Sequence, residues 1–153
     1  MTKLTFDVIS AYRGRTVATA ESCTGGLVGA MLTEVPGASA VYKGGVISYW
    51  SEVKEQILGV SSDTLSAFGA VSEETAMQMA RGIRETLKSD VAVSVTGLAG
   101  PEGDGSDLPV GTVYVGFADH EQVFAREYHF SGNRSEIRQQ AAEAALGLLL
   151  EHQ

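Results

Sequence analysis

A chain of 153 residues is the size of one domain and can bury a core without disulfides or structural metal. Nineteen acidic residues against eleven basic ones leave a net charge of −8 with no run of Lys or Arg, which excludes the basic surfaces that hold nucleic acid or a membrane. The single cysteine, Cys23, excludes an intramolecular disulfide, and no apolar window is long enough for a signal core or a membrane span, so a soluble, cytoplasmic protein is expected.

Leu4, Val8, Ile9 and Tyr12 recur at helical spacing before Gly14, predicting a short packing helix. The β-prone run from Thr16 to Ala20 is a first strand, and Leu27, Val28, Met31, Leu32 and Val35 mark a helix that stops before Pro36-Gly37. Gly44 to Trp50 reads as a second strand, Ser51 to Leu58 as a helix, and Ser61 to Phe68 as another short helix. Ser72, followed by Glu73 and Glu74, supplies the cap and acidic first turn of a longer helix through Lys88. Val91 to Val95 is a short buried strand, after which an acidic, Gly-rich loop runs from Gly97 to Pro109. Val110–Ala118 and Val123–Phe130 alternate as a hairpin around Asp119-His120-Glu121-Gln122. Asn133 and Glu136 form a capping box for a last helix with an Ala/Leu stripe to Leu150. Strands separated by helices early, and a hairpin late, predict an α/β fold: a three-layer α/β/α single domain over residues 1–153 with a mixed sheet.

Ser22 lies where the first strand becomes a helix, within Glu21-Ser22-Cys23-Thr24-Gly25-Gly26. A hydroxyl there is well placed as a nucleophile, because the first N–H groups of a helix lack intrahelical partners and can bind developing negative charge. Gly25 and Gly26 would let a ligand approach the main chain. The competing reading is that Ser22 or Thr24 only caps the helix. His120, His129 and His152 have no catalytic or metal-ligating spacing, so neither a Ser-His-Asp triad nor a zinc site is expected. A lysine in a desolvated site can act as the base instead. Of the four lysines, Lys54 stands out because it follows Tyr49 by five residues across another strand-to-helix junction. There both side chains could converge on the sheet edge that carries Ser22. Taken singly, Tyr49 reads as a core aromatic and Lys54 as a solvated helix residue. Glu102, Asp104 and Asp107 read as a solvated lid rather than a metal site.

Glu21-Ser22-Cys23-Thr24-Gly25-Gly26, Gly44-Gly45-Val46-Ile47-Ser48-Tyr49 with Lys54, Gly69-Ala70-Val71-Ser72, Thr96-Gly97-Leu98-Ala99-Gly100-Pro101, Pro109-Val110-Gly111-Thr112-Val113 and Phe130-Ser131-Gly132-Asn133-Arg134 occur in that order. Together they resemble the CinA C-terminal domain family, which includes stand-alone nicotinamide-nucleotide amidohydrolases. The resemblance implies metal-independent and cofactor-free hydrolysis of the carboxamide of nicotinamide mononucleotide to nicotinate mononucleotide and ammonia. It places the nucleophile at Ser22 and its catalytic partners at Tyr49 and Lys54. Trp50 and Ser51 depart from the family pattern, in which a small residue and then Asn or Asp are common; Tyr49 and Lys54 keep their spacing, so the departure bears on substrate fit beside them and not on the catalytic set. Backbone N–H groups around Cys23, Thr24 and Gly25 would bind the oxyanion, Thr96 would bind substrate or cap its turn, and Arg134 or Arg138 would hold the phosphate. A small-molecule substrate and a homo-oligomer, such as a dimer, are the expected partners, with neither nucleic acid nor membrane. The same fold could instead serve as a non-catalytic nucleotide-binding module, or Cys23 could be the nucleophile with Ser22 only a cap.

Overall fold

The computed structural model describes residues 1–153 and places five strands in one mixed sheet, in the order β2-β1-β3-β4-β5. The strands are β1 (Val17–Glu21), β2 (Tyr42–Ile47), β3 (Val91–Gly97), β4 (Thr112–Ala118) and β5 (Val123–His129). The helices are α1 (Lys3–Ala11), α2 (Leu27–Thr33), α3 (Ser51–Leu58), α4 (Ser62–Phe68), α5 (Glu73–Leu87) and α6 (Arg134–Glu151). Both β2 and β3 pair with β1 in parallel, whereas β3–β4 and β4–β5 are antiparallel. The carboxyl ends of β1, β2 and β3 therefore open on one edge. The chain leaves β1 toward β2 and leaves β3 toward β4, in opposite directions, and such a reversal opens a crevice at that edge.

Side-chain alternation decides which helices cover which face. Val17, Val91, Val93, Val95, Val113, Val115 and Phe117 face α1, α2 and α6, joining Val8, Ile9, Leu32, Ile137, Leu146 and Leu149 in the larger core. Ala18, Ala20 and Ala92 face the opposite layer, where Leu58, Met79 and Ile83 cover them. Small residues on this second face let α5 lie close to the sheet. A Cβ on Gly116 would stand 2.3 Å from the Ala76 carbonyl oxygen, which accepts from Ser94 Oγ at 2.6 Å.

Two boundaries differ from the sequence expectation in ways that shape the site. The second strand ends at Ile47 rather than Trp50: the Ser48 N–H makes the last ladder bond to β1, on the Glu21 carbonyl at 2.7 Å, and the chain then leaves the sheet. Trp50 then adopts an extended conformation as the N-cap of α3. The helix after Ser22 begins only at Leu27, with Gly26 in the left-handed region (φ 104°) as its N-cap. Ser22 thus sits in a turn ahead of the helix and caps nothing.

The α3–α5 contact is the tightest backbone approach in the second layer: a Cβ on Gly82 would lie 1.8 Å from the Leu58 carbonyl oxygen. Alanine is normally the better helix former by about 1 kcal/mol. Here Gly82→Ala is expected to lower stability by about 1–3 kcal/mol, because α3 must shift off α5. Urea denaturation checks this, and a variant at least as stable as wild type would contradict it.

Candidate active site

The turn after β1 is built around a buried carboxylate. Glu21 is 3% exposed, and its Oε1 accepts from Thr24 Oγ1 at 2.7 Å and the Val28 N–H at 2.9 Å, while Oε2 accepts from the Gly29 N–H at 3.0 Å. The amides at the start of α2 are therefore occupied by Glu21. This corrects the expectation that they receive charge from a substrate, and Thr24 donates to Glu21 instead of capping the helix. The motif Glu21-Ser22-Cys23-Thr24-Gly25-Gly26 marks Ser22 in the sequence but assigns no role to Glu21. Its signal is an acidic residue directly after the β-prone run, where burial requires donors nearby.

Ser22 follows directly, with its N–H bonded to the Val95 carbonyl at 2.9 Å, so β3 fixes its backbone. The side chain of Lys54 reaches it from the first turns of α3, with Nζ 2.8 Å from Ser22 Oγ. Lys54 is 1% exposed, and its other contacts are two main-chain oxygens, Ser48 O at 2.6 Å and Tyr49 O at 3.3 Å. No carboxylate is paired with it. Burial therefore disfavours the ammonium form and lowers its pKa from the ordinary 10.5 to about 8. In the neutral amine two hydrogens serve the two carbonyls, which leaves the lone pair for the Ser22 hydroxyl proton.

A cleft of about 240 Å³ opens over this pair, lined by Tyr49, Ala70, Val71, Leu98, Ala99 and Arg134 among others. The Tyr49 hydroxyl points to Arg134 Nη2 at 3.1 Å and makes no hydrogen bond to Lys54; Tyr49 steers Lys54 through its carbonyl. Arg134 also donates to the Gly100 carbonyl, joining the start of α6 to the β3–β4 loop across the cleft mouth. Thr96 lines the cleft and ties β3 to the α4–α5 connection by donating to Ala70 O at 2.7 Å. Glu102 and Asp104 lie on the rim, and no three His, Cys, Asp or Glu side chains converge as metal ligands.

The remaining expected site residues are distributed differently. Cys23 lines the cleft but is 6% exposed, and burial pushes its thiol up to about 11, so its thiolate is scarce at neutral pH. Thr24, Gly25 and Arg138 do not line the cleft. Gly25 (φ 61°) donates its N–H to Ser22 O at 3.0 Å, which removes it from the amides available to an oxyanion. Arg138 donates to Cys23 O at 3.0 Å and Thr24 O at 2.8 Å, so it grips the turn rather than facing the open space.

Residues 3–153 match the CinA C-terminal domain family. This chain belongs to that family. A protein of Caldanaerobacter subterraneus subsp. tengcongensis whose name refers to competence-damage induction is 54% identical over 126 residues, covering 82% of this chain and 31% of that protein. A CinA-like protein of Thermotoga maritima is 46% identical over 134 residues, covering 88% of this chain and 33% of the relative. The chain thus spans about a third of the length of the curated relatives it matches. The crystal structure of competence/damage inducible protein CihA from Agrobacterium tumefaciens superposes with a TM-score of 0.94 at 40% identity, over 97% of this chain and 93% of that one. The predicted three-layer CinA fold is therefore observed here and in a solved relative. No helix of this CinA domain is long and apolar enough to cross a membrane.

Lys54 in this CinA domain makes stability depend on pH. Its folded pKa of about 8 lies below the ordinary 10.5, so between these values the unfolded chain holds the proton and the folded chain does not. Stability attributable to Lys54 therefore rises with pH across that window, by about 3 kcal/mol. Denaturation of wild type and Lys54→Met at the two ends of the window should show wild type gaining on the variant by roughly that amount. A constant difference would mean that the ammonium is not desolvated.

Proposed function

We propose that this domain is a metal-independent Ser/Lys amidohydrolase that converts nicotinamide mononucleotide to nicotinate mononucleotide and ammonia. The observation that carries this reading is the buried Lys54 Nζ, 2.8 Å from Ser22 Oγ, with no carboxylate to hold its charge. Ser22 Oγ attacks the carboxamide carbon as its proton passes to Lys54, forming a tetrahedral oxyanion beside the turn whose Cys23 and Thr24 N–H groups have no backbone acceptor and are the donors left for it. Lys54 returns the proton to the amide nitrogen, the C–N bond breaks, and ammonia leaves an acyl-Ser22. Water then attacks the acyl carbon, giving one proton to Lys54, which passes it back to Ser22 Oγ as the acid departs. The balance is one amide and one water in, one acid and one ammonia out.

Arg134 supports the choice of a phosphorylated substrate. It is the cation on the cleft lining besides Lys54, and it stands in the first turn of α6, where an anion is favoured. The apolar lining from Ala70, Val71, Leu98 and Ala99 suits a flat aromatic ring lying between Ser22 and Arg134.

Incubation with nicotinamide mononucleotide, with ammonia and the acid product measured, tests the reading directly. Binding without ammonia would leave a nucleotide-binding module. Ser22→Ala should fold and lose nearly all turnover; wild-type rate in that protein would remove the mechanism. The rate should rise with pH through about 8 as Lys54 loses its proton. Lys54→Arg keeps the charge but cannot become neutral, so it should lose about 10²–10⁴ in rate and the alkaline rise together. A variant retaining both would make Lys54 an electrostatic anchor only. Exhaustive chelation should leave turnover unchanged, and loss restored by one added metal would overturn the metal-independent route.

A further inference from the structure

We infer that Arg138 is a positioning residue that orients and polarises the free Thr24 amide of the Ser22 turn toward the oxyanion; this rests on the reading of Ser22 as a nucleophile. Its guanidinium straddles two consecutive peptides, with Nε on Cys23 O at 3.0 Å and Nη2 on Thr24 O at 2.8 Å. In a trans peptide the carbonyl and the N–H point in opposite directions. Drawing the Cys23 carbonyl toward α6 therefore turns the Thr24 N–H the other way, and drawing the Thr24 carbonyl does the same to the Gly25 N–H. The Gly25 N–H closes the turn on Ser22 O, whereas the Thr24 N–H donates to no backbone or side-chain acceptor. A cation on a carbonyl also strengthens the donor at the far end of the same peptide. The other side of the turn is held by Glu21, which takes the Thr24 hydroxyl and the first amides of α2.

The turn is thus fixed between a carboxylate on β1 and a guanidinium on α6. Both side chains are spent on main-chain groups or a hydroxyl of the same short segment. Arg138 lies one helical turn beyond Arg134 but does not line the cleft, so the two arginines of α6 divide their work. Arg134 faces the ligand space and Arg138 faces the loop behind it. A planar two-pronged donor is required for two adjacent carbonyls, which lysine cannot supply.

A fluorophosphonate probe reads this without any assumption about the natural substrate. Attack by Ser22 Oγ forms a P–O bond, passes the hydroxyl proton to Lys54 and expels fluoride while negative charge gathers on the phosphoryl oxygen, so labelling draws on the same oxyanion donor. Relative to wild type, Arg138→Gln should label Ser22 about 10²-fold more slowly, the scale for losing an oxyanion donor, with Arg138→Lys intermediate. Guanidinium ion added to Arg138→Ala should restore part of the rate, and this arm decides the matter if Arg138→Gln folds poorly. On nicotinamide mononucleotide the loss should fall on kcat with KM unchanged, and by the same factor on the riboside that lacks the phosphate. Wild-type labelling by Arg138→Gln, no rescue by guanidinium, or a defect confined to KM for the phosphorylated substrate would overturn the assignment. Labelling of wild-type Ser22 without ammonia from the nucleotide would remove the amide reading while leaving the Arg138 result standing.

Discussion

A primary amine enclosed with only a hydroxyl and two carbonyls for company is the constraint on which the rest of this molecule turns. An ammonium ion in that position lacks a counter-charge, and the fold must supply enough rigidity to keep water and carboxylates away from it. The carbonyls come from Ser48 and Tyr49, and Ser48 is held in turn by its N–H and hydroxyl on the Glu21 carbonyl. One residue therefore links the end of β1, the end of β2 and the amine of α3. The same register that closes the parallel pair sets where the Lys54 lone pair points.

The two faces of the sheet contribute unequally. The larger core, with α1, α2 and α6, anchors the turn from behind, since α2 begins on the Glu21 carboxylate and α6 holds the next carbonyls through Arg138. The thinner face, rich in alanine and glycine, lets α5 settle close to the sheet and brings α3 near enough for Lys54 to reach Ser22. Both faces are thus needed to hold two atoms within hydrogen-bonding distance, one from each side of the crevice.

Much of this was legible in the residues. Helical spacing in Leu27 to Val35, the Ser72 and Asn133 caps and the hairpin around Asp119 to Gln122 all appear as elements, because each is a local pattern with a local cause. Ser22 with Lys54 was legible as a pair because each follows a strand-to-helix junction that could share one sheet edge, and because the resemblance to the CinA family names the two positions together. What local pattern could not supply was the third dimension of the turn. Thr24, Gly25 and Arg138 carry the right residue types for binding a ligand, yet a carboxylate at the end of β1, the Ser22 carbonyl and the position of α6 commit them to the turn itself. The Tyr49 hydroxyl likewise went to Arg134, a partner 85 residues away, while its carbonyl took the lysine.

The outer strands of the sheet have a bearing on behaviour at high concentration. Between Val17/Tyr42 and Ala18/Gly44 the β1–β2 register slips by one residue, so Lys43 is an extra residue in β2 and Gly44 follows it at φ 145°. At the opposite margin no residue of β5 is fully buried, and Arg126, Glu127 and His129 are exposed along it. A kinked margin on one side and a charged one on the other are poor templates for a strand from another molecule. A sheet whose two flanks are guarded in this way resists growth by strand addition, even though Ile47, Tyr49 and Trp50 stand exposed at the crevice end of β2.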